Sequence, residues 1–284
     1  MKKSFGKMFL KGFLQSFFIV VILVLVGVLG YRATTHFLGA PQEDAIIAYQ
    51  EETIPKQIIE AKVDLVSKNL IFCYDENTKE ITKLVLEVFH SESGQLTYIT
   101  VPLRTQLNIS EPLYRKLTVV NPAMPQVLQF SVINQYLEGD AVFEYGTLMM
   151  EDLFGIDISY YTVISKATYD EIFESTYLKV DDKSQSNGSM PLPIETFTKS
   201  YKKFLKSLKS KDALKAYIEE IYQELRSNLS LSDKLKYLNY YDEMSMNQID
   251  FLLIKGQNKN SAYIIDVGPA AKQLNDLFNT NYIN

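Results

Sequence analysis

Glu80-Ile-Thr-Lys-Leu-Val-Leu-Glu-Val-Phe-His-Ser-Glu-Ser-Gly-Gln-Leu-Thr-Tyr-Ile-Thr-Val-Pro-Leu-Arg-Thr-Gln-Leu-Asn-Ile109 reads as two strands about a polar turn. In a strand, alternate side chains share a face. Leu84, Leu86, Val88 and His90 therefore fall on one side, and Val85, Glu87 and Phe89 on the other. Ser91-Glu-Ser-Gly94 is turn material, with Gly94 free to take positive φ. Leu96, Tyr98 and Thr100 then alternate with Thr97, Ile99 and Val101 before Pro102 ends the ladder. Apolar residues on both faces predict a sheet covered on both sides. The second strand delivers Pro102-Leu103-Arg104 to a strand end, where α/β folds place their sites.

Outward from the hairpin, strands and helices intersperse, which predicts one α/β domain with a central mixed sheet. The spacing of apolar residues predicts helix over 43–66, with Pro55 starting a second helix or kinking the first. Asn69–Tyr74 is a strand, followed by a polar loop to Glu80. Residues 110–126 carry Pro112, Pro122 and Pro125 and are expected to be extended or looped. Helices are expected over 129–137 and 141–154, the second ending at Gly155. A strand over 160–165 and a short helix over 168–174 follow. Residues 181–189 lack any apolar side chain and read as loop. From Glu195 the pattern is helical. Leu214, Tyr217, Ile218, Ile221, Tyr222 and Leu225 form a stripe after a Ser210 N-cap, and Ser232 is expected to cap a helix from Asp233 to Met244. That stripe is core, or in a sharper reading the wall of a lipid pocket. Strands over 249–254 and 262–267 and a helix from Pro269 to Phe278 complete the pattern.

The N-terminal residues have a different character. Residues 1–12 carry four lysines, and Phe13–Tyr31 have no charge. At ~1.5 Å per residue such a helix nearly spans a hydrocarbon layer of ~30 Å. The preceding lysines predict the N-terminus inside and the rest outside. The run is longer than a signal-peptide core and no small-residue cleavage site follows it, so an uncleaved single-pass anchor is expected. Residues 32–43 are then a tether, and 44–284 the outside domain.

Several chemistries are excluded. Net charge is −5 with pI about 5.3, which argues against a nucleic-acid-binding face. Cys73 is the only cysteine, so there is no intrachain disulfide. Its apolar run makes it a buried small hydrophobe. His36 and His90 are too few for a His-built zinc site. Only Arg32, Arg104, Arg115 and Arg226 can offer a forked guanidinium to phosphate.

Taken in order, the anchor, the strand leading to Asp75, the hairpin ending in Val101-Pro102-Leu103-Arg104, Gly155-Ile-Asp-Ile-Ser-Tyr-Tyr161 and Arg226-Ser-Asn-Leu-Ser-Leu-Ser-Asp233 resemble the LytR–CpsA–Psr (LCP) family of Gram-positive cell-envelope proteins. The resemblance implies an LCP-like α/β domain with helices on both faces of the sheet. It implies transfer of a glycopolymer from a polyprenyl-pyrophosphate carrier to peptidoglycan, with carboxylates holding Mg²⁺ and arginines clamping the pyrophosphate. This sequence departs from the pattern at the charges. No Arg-x-Asp stands near Glu80–Lys83, the Pro-Arg-Asp corner has become Pro102-Leu103-Arg104, and residues 180–215 contain no Arg.

Three candidate site residues result. Arg104 is placed to contact ligand. Arg115 lines the same cleft or pairs with Glu111. Asp75 is a surviving Mg²⁺ ligand or caps its own turn. The thinned charge leads to a non-catalytic binding or accessory protein of cell-envelope polymer assembly. The alternative is a divergent phosphotransferase using Mg²⁺, with Arg104 and Arg115 on phosphate. Expected partners are the membrane and a polyprenyl-linked glycopolymer or peptidoglycan.

Overall fold

The quoted hairpin forms the middle of a mixed sheet in the computed structural model, which describes residues 59–172, 175–178, 194–197, 210–242, 244 and 248–279. These fall within Gln57–Asn284, the second of two compact units. The first half of the fold comprises β1 (Val66–Asp75), β2 (Glu80–His90), β3 (Gln95–Thr100), β4 (Gln106–Asn108), α1 (Glu111–Val120), β5 (Val127–Gln129), a 3₁₀ turn (Phe130–Gln135), α2 (Ala141–Phe154), β6 (Tyr160–Ser165) and α3 (Lys166–Ile172). Then come β7 (Ser175–Leu178), β8 (Ile194–Phe197), α4 (Lys211–Glu224), β9 (Arg226–Ser227), α5 (Leu231–Lys234), a second 3₁₀ turn (Leu235–Tyr237), α6 (Leu238–Asp242), β10 (Ile249–Leu253), β11 (Gly256–Lys259), β12 (Ala262–Ile265) and α7 (Val267–Phe278).

Among the described residues the main sheet runs β10-β3-β2-β1-β6-β9. The β1–β2–β3 meander is antiparallel, while β6 joins β1 and β10 joins β3 in parallel. Alternation sorts the side chains as the sequence predicts. Leu84, Leu86 and Val88 join Phe72, Ile99 and Leu117 in the core on one face, which α1, α2 and α7 cover. Val85 and Phe89 join Ile71, Cys73, Tyr98 and Tyr160 on the other. There α4 and α6 form a further apolar layer through Leu214, Ile218 and Leu238. Gly94 closes the hairpin turn at φ 64° and Gly155 ends α2 at φ 66°, both conformations that cost other residues a steric penalty.

Several local expectations are corrected. Residues 59–65 are not helical. Their backbone is tied to neighbouring segments: Lys62 N donates to Ser159 O, and Leu65 O accepts from Ser91 N. Residues 111–120 are helical because Pro112 sits in the first turn, where its missing N–H has no partner to lose. Phe130–Gln135 is 3₁₀ rather than α. Ile194–Phe197 is a strand paired with β7, although the pattern from Glu195 read as helical. Ser230, not Ser232, caps the helix after β9, accepting from Asp233 N. That helix breaks at a 3₁₀ turn before α6. Residues 256–259, between the strands expected over 249–254 and 262–267, form a further strand paired with β12. Among the described residues no helix is long and apolar enough to cross a membrane; the expected span 13–31 and the polar loop 181–189 lie outside them.

Candidate functional site

Between the second face of the sheet and helix α4 lies a cavity of about 120 Å³. Its roof is the apolar stripe of α4: Leu214, Tyr217, Ile218, Ile221 and Tyr222, continued by Leu225. Leu214 and Ile218 are buried, as core residues, and also line this cavity. Its floor is built by register. Glu87 lies opposite Tyr98 on β3 and Asn69 on β1, while Ile71 lies opposite Thr162 on β6. Asn69, Ile71, Glu87, Tyr98, Thr162 and Ile164 all line the space.

One end of this cavity is charged. Lys234 Nζ lies 3.6 Å from Glu87 Oε1. It donates to the hydroxyls of Tyr160 at 2.8 Å and Tyr241 at 2.9 Å. It also lies over the rings of both, 5.3 and 5.1 Å from their centroids. Asn69 Nδ2 donates to Glu87 at 3.3 Å, and Thr162 Oγ1 donates to Asn69 Oδ1 at 3.0 Å. The Lys234 and Glu87 side chains are only 14% and 9% exposed, so water screens them little. Burial works against the ammonium. The facing Tyr160 and Tyr241 oxygens and the Glu87 carboxylate outweigh it and hold Lys234 charged well above the usual range. Aromatic rings pack beside the pair. Phe89 stacks on Tyr241 at 4.3 Å and meets Tyr237 edge-on at 6.0 Å.

Burial on the opposite face of the sheet makes a pH prediction. Tyr161 is pushed up to about 12, first by burial and then by Glu144 and Asp140. Unfolded tyrosine ionises near 10. The unfolded chain thus sheds this proton first, and stability present below about pH 10 is lost as pH rises toward 12. The raised Lys234 acts in the same direction above its unfolded value of 10.5. Denaturation midpoints are expected to hold flat through neutral pH and fall steeply above about pH 10, in step with tyrosinate absorbance.

The sequence-derived candidates lie on three different elements. Asp75 ends β1 and caps its own turn, with Oδ1 accepting from Asn77 N and Thr78 N. Arg115, on α1, forms an exposed pair with Glu111 at 2.9 Å. Arg104 follows β3; its carbonyl accepts from Tyr263 N, and burial pulls its guanidinium below its usual range. None of the three lines the cavity as described. Arg226 stacks over Tyr74 and Phe143 and pairs with Glu76 and Asp140, both at 3.3 Å. No group of three or more His, Cys, Asp or Glu able to hold a metal ion stands among the described residues.

Glu87 and Lys234 were missed, although one signal was present. A carboxylate between Val85 and Phe89, on a strand apolar on both faces, requires a buried cation. Which cation could not be read, because α5 is one short turn in a region that reads as a longer helix.

No family model matches the chain, and no curated protein does. Among solved structures it resembles protein gbs0355 from Streptococcus agalactiae, at TM-score 0.51 and 11% identity, over 74% of this chain and 86% of that one. It is also similar to B. subtilis TagV, at 0.48 and 10%, over 77% and 98%. A third is the LytR-CPS2A-psr family protein TagT with bound octaprenyl pyrophosphate lipid, at 0.45 and 13%, over 78% and 95%. At these identities the likeness is one of fold, and the first carries it.

Proposed function

We propose that this chain is a membrane-anchored, extracytoplasmic LCP-like protein that holds the apolar chain of a polyprenyl-linked carrier during cell-envelope glycopolymer assembly, without turning it over. The observation that carries the reading is the cavity beneath α4. It is an apolar space with a few convergent polar groups, the usual make-up of a ligand site. The family resemblance of the sequence supplies the class of ligand. The non-catalytic half rests on charge. Transfer of a phosphoryl group needs carboxylates for Mg²⁺ and several cations for the diphosphate. Here Arg115 and Arg226 already face carboxylates, and Asp75 caps a turn. Membrane attachment rests on residues 13–31 and their flanking lysines.

The protein has nineteen tyrosines and no tryptophan, so tyrosine emission reports on Tyr217, Tyr222 and Tyr241 in the cavity wall. Titrating the detergent-solubilised full chain with farnesyl phosphate is expected to give saturable quenching. Ile218→Trp, which fills the cavity from its roof, is expected to weaken that binding by about a hundredfold while the fold persists. Undiminished binding in Ile218→Trp would place the lipid elsewhere. Mg²⁺-dependent release of product from a polyprenyl-pyrophosphate-linked glycan would instead establish the divergent phosphotransferase. In that case Arg104→Ala should abolish release without unfolding the protein.

A further inference from the structure

The cavity is asymmetric along the strands. Toward the carboxyl ends of β1 and β6 its floor is Ile71 and Ile164. Toward their amino ends it meets Glu87, Lys234 and Tyr241, the last stacked on Phe89. A charged pair at one end of an apolar pocket can do one of two things. It can grip a polar group on the ligand, or it can forbid the ligand to go further. Hydrogen-bond capacity decides between them. An ammonium has three N–H groups. Lys234 faces three oxygens already, those of Tyr160, Tyr241 and Glu87. Two of its N–H groups are spent on the tyrosine hydroxyls, and the third lies on the side of the Glu87 carboxylate, 3.6 Å away. Driving a hydrocarbon chain past it would strip a buried pair of its partners.

Resting on the carrier-lipid reading above, we infer that the Glu87–Lys234 pair is a depth stop: it fixes how much of an apolar chain the cavity accepts and leaves the remainder outside. Glu87 and Lys234 are then specificity-determining residues, and the ligand class is an isoprenoid or similar chain read to a set depth. Asn69 and Thr162 hold the stop in place from the sheet, through the hydrogen bonds to Glu87 and to each other.

The test is a chain-length ladder on the full-length protein in detergent, using farnesyl, geranylgeranyl and undecaprenyl phosphate. Because added isoprene units stay outside the stop, wild-type affinity is expected to vary by no more than about threefold along the ladder. The double variant Glu87→Leu with Lys234→Met removes both charges and keeps much of the volume. It is expected to bind geranylgeranyl phosphate at least about tenfold more tightly than the wild type does, with farnesyl phosphate little changed. Circular dichroism establishes that the variant is folded. A wild-type affinity that climbs about tenfold or more with each step overturns the inference, and so does a folded double variant with the wild-type ladder. Should the double variant fail to fold, the wild-type ladder alone decides. If the wild type binds none of the three phosphates, the carrier-lipid reading itself falls and takes the depth stop with it.

Discussion

Replacing Lys234 by Met is expected to destabilise the domain by about 3–5 kcal/mol, a large part of the total of a marginally stable fold. The figure is this large because of what stays behind. Glu87, 9% exposed, would lose the ammonium that faces it and keep the hydrogen bond from Asn69. Tyr160 and Tyr241 would lose the donor to their hydroxyls. Adding Glu87→Leu should recover most of the loss, since an ion pair replaced whole by apolar groups of similar size costs little or nothing. The coupling between the two sites is then positive and several kcal/mol deep, measured by a urea-denaturation double-mutant cycle. A single Lys234→Met variant within about 1 kcal/mol of wild type would mean that water reaches the pair and that its screening resembles a surface bridge.

Phe72→Ala is the second large effect, on the opposite face of the sheet. Phe72 is fully buried, meeting Phe143 edge-on at 5.4 Å, Tyr161 edge-on at 6.2 Å and Phe130 stacked at 6.3 Å. Truncation leaves a cavity among aromatic rings, which are poorly placed to collapse into it, and about 3–5 kcal/mol is expected. The neighbourhood has one compensating position. A methyl group at Gly146 would come 3.3 Å from the Phe72 ring and 3.4 Å from Ile133 and Phe130. Gly146→Ala should therefore strain the wild type but fit better beside a Leu at position 72. The pair Phe72→Leu with Gly146→Ala is expected to be more stable than the sum of its single variants. Strict additivity in thermal or urea unfolding would show that Gly146 is small for another reason.

How far the sequence discloses this molecule depends on the range of the interaction. The hairpin was legible because period-2 alternation and the Gly94 turn are local, and the two strands pair antiparallel about that turn. The α2 helix and its Gly155 terminator were legible for the same reason, with bounds at Ala141 and Phe154. Residues 59–65 were not, because their apolar spacing imitates a helix while hydrogen bonds to Ser159 and Ser91 hold them otherwise. Pro112 misled in the opposite direction: proline opposes a helix interior but suits a first turn. The cavity was half legible. Its roof is the α4 stripe, visible as spacing. Its charged end joins β2 to α5 across the sequence, and no periodicity encodes such a pairing.

The sheet's outer strand has a consequence for how the protein is made. The β1–β2–β3 meander can zip from neighbouring residues, but β10 reaches β3 only after residues 249–253 exist, and it does so in parallel. Until then the far side of β3 presents its amides and carbonyls bare, a template for any other extended peptide. Premature termination before residue 249 should therefore yield not a smaller monomer but a sticky one. Slow closure of a long loop makes the same hazard transient in the intact chain during its synthesis.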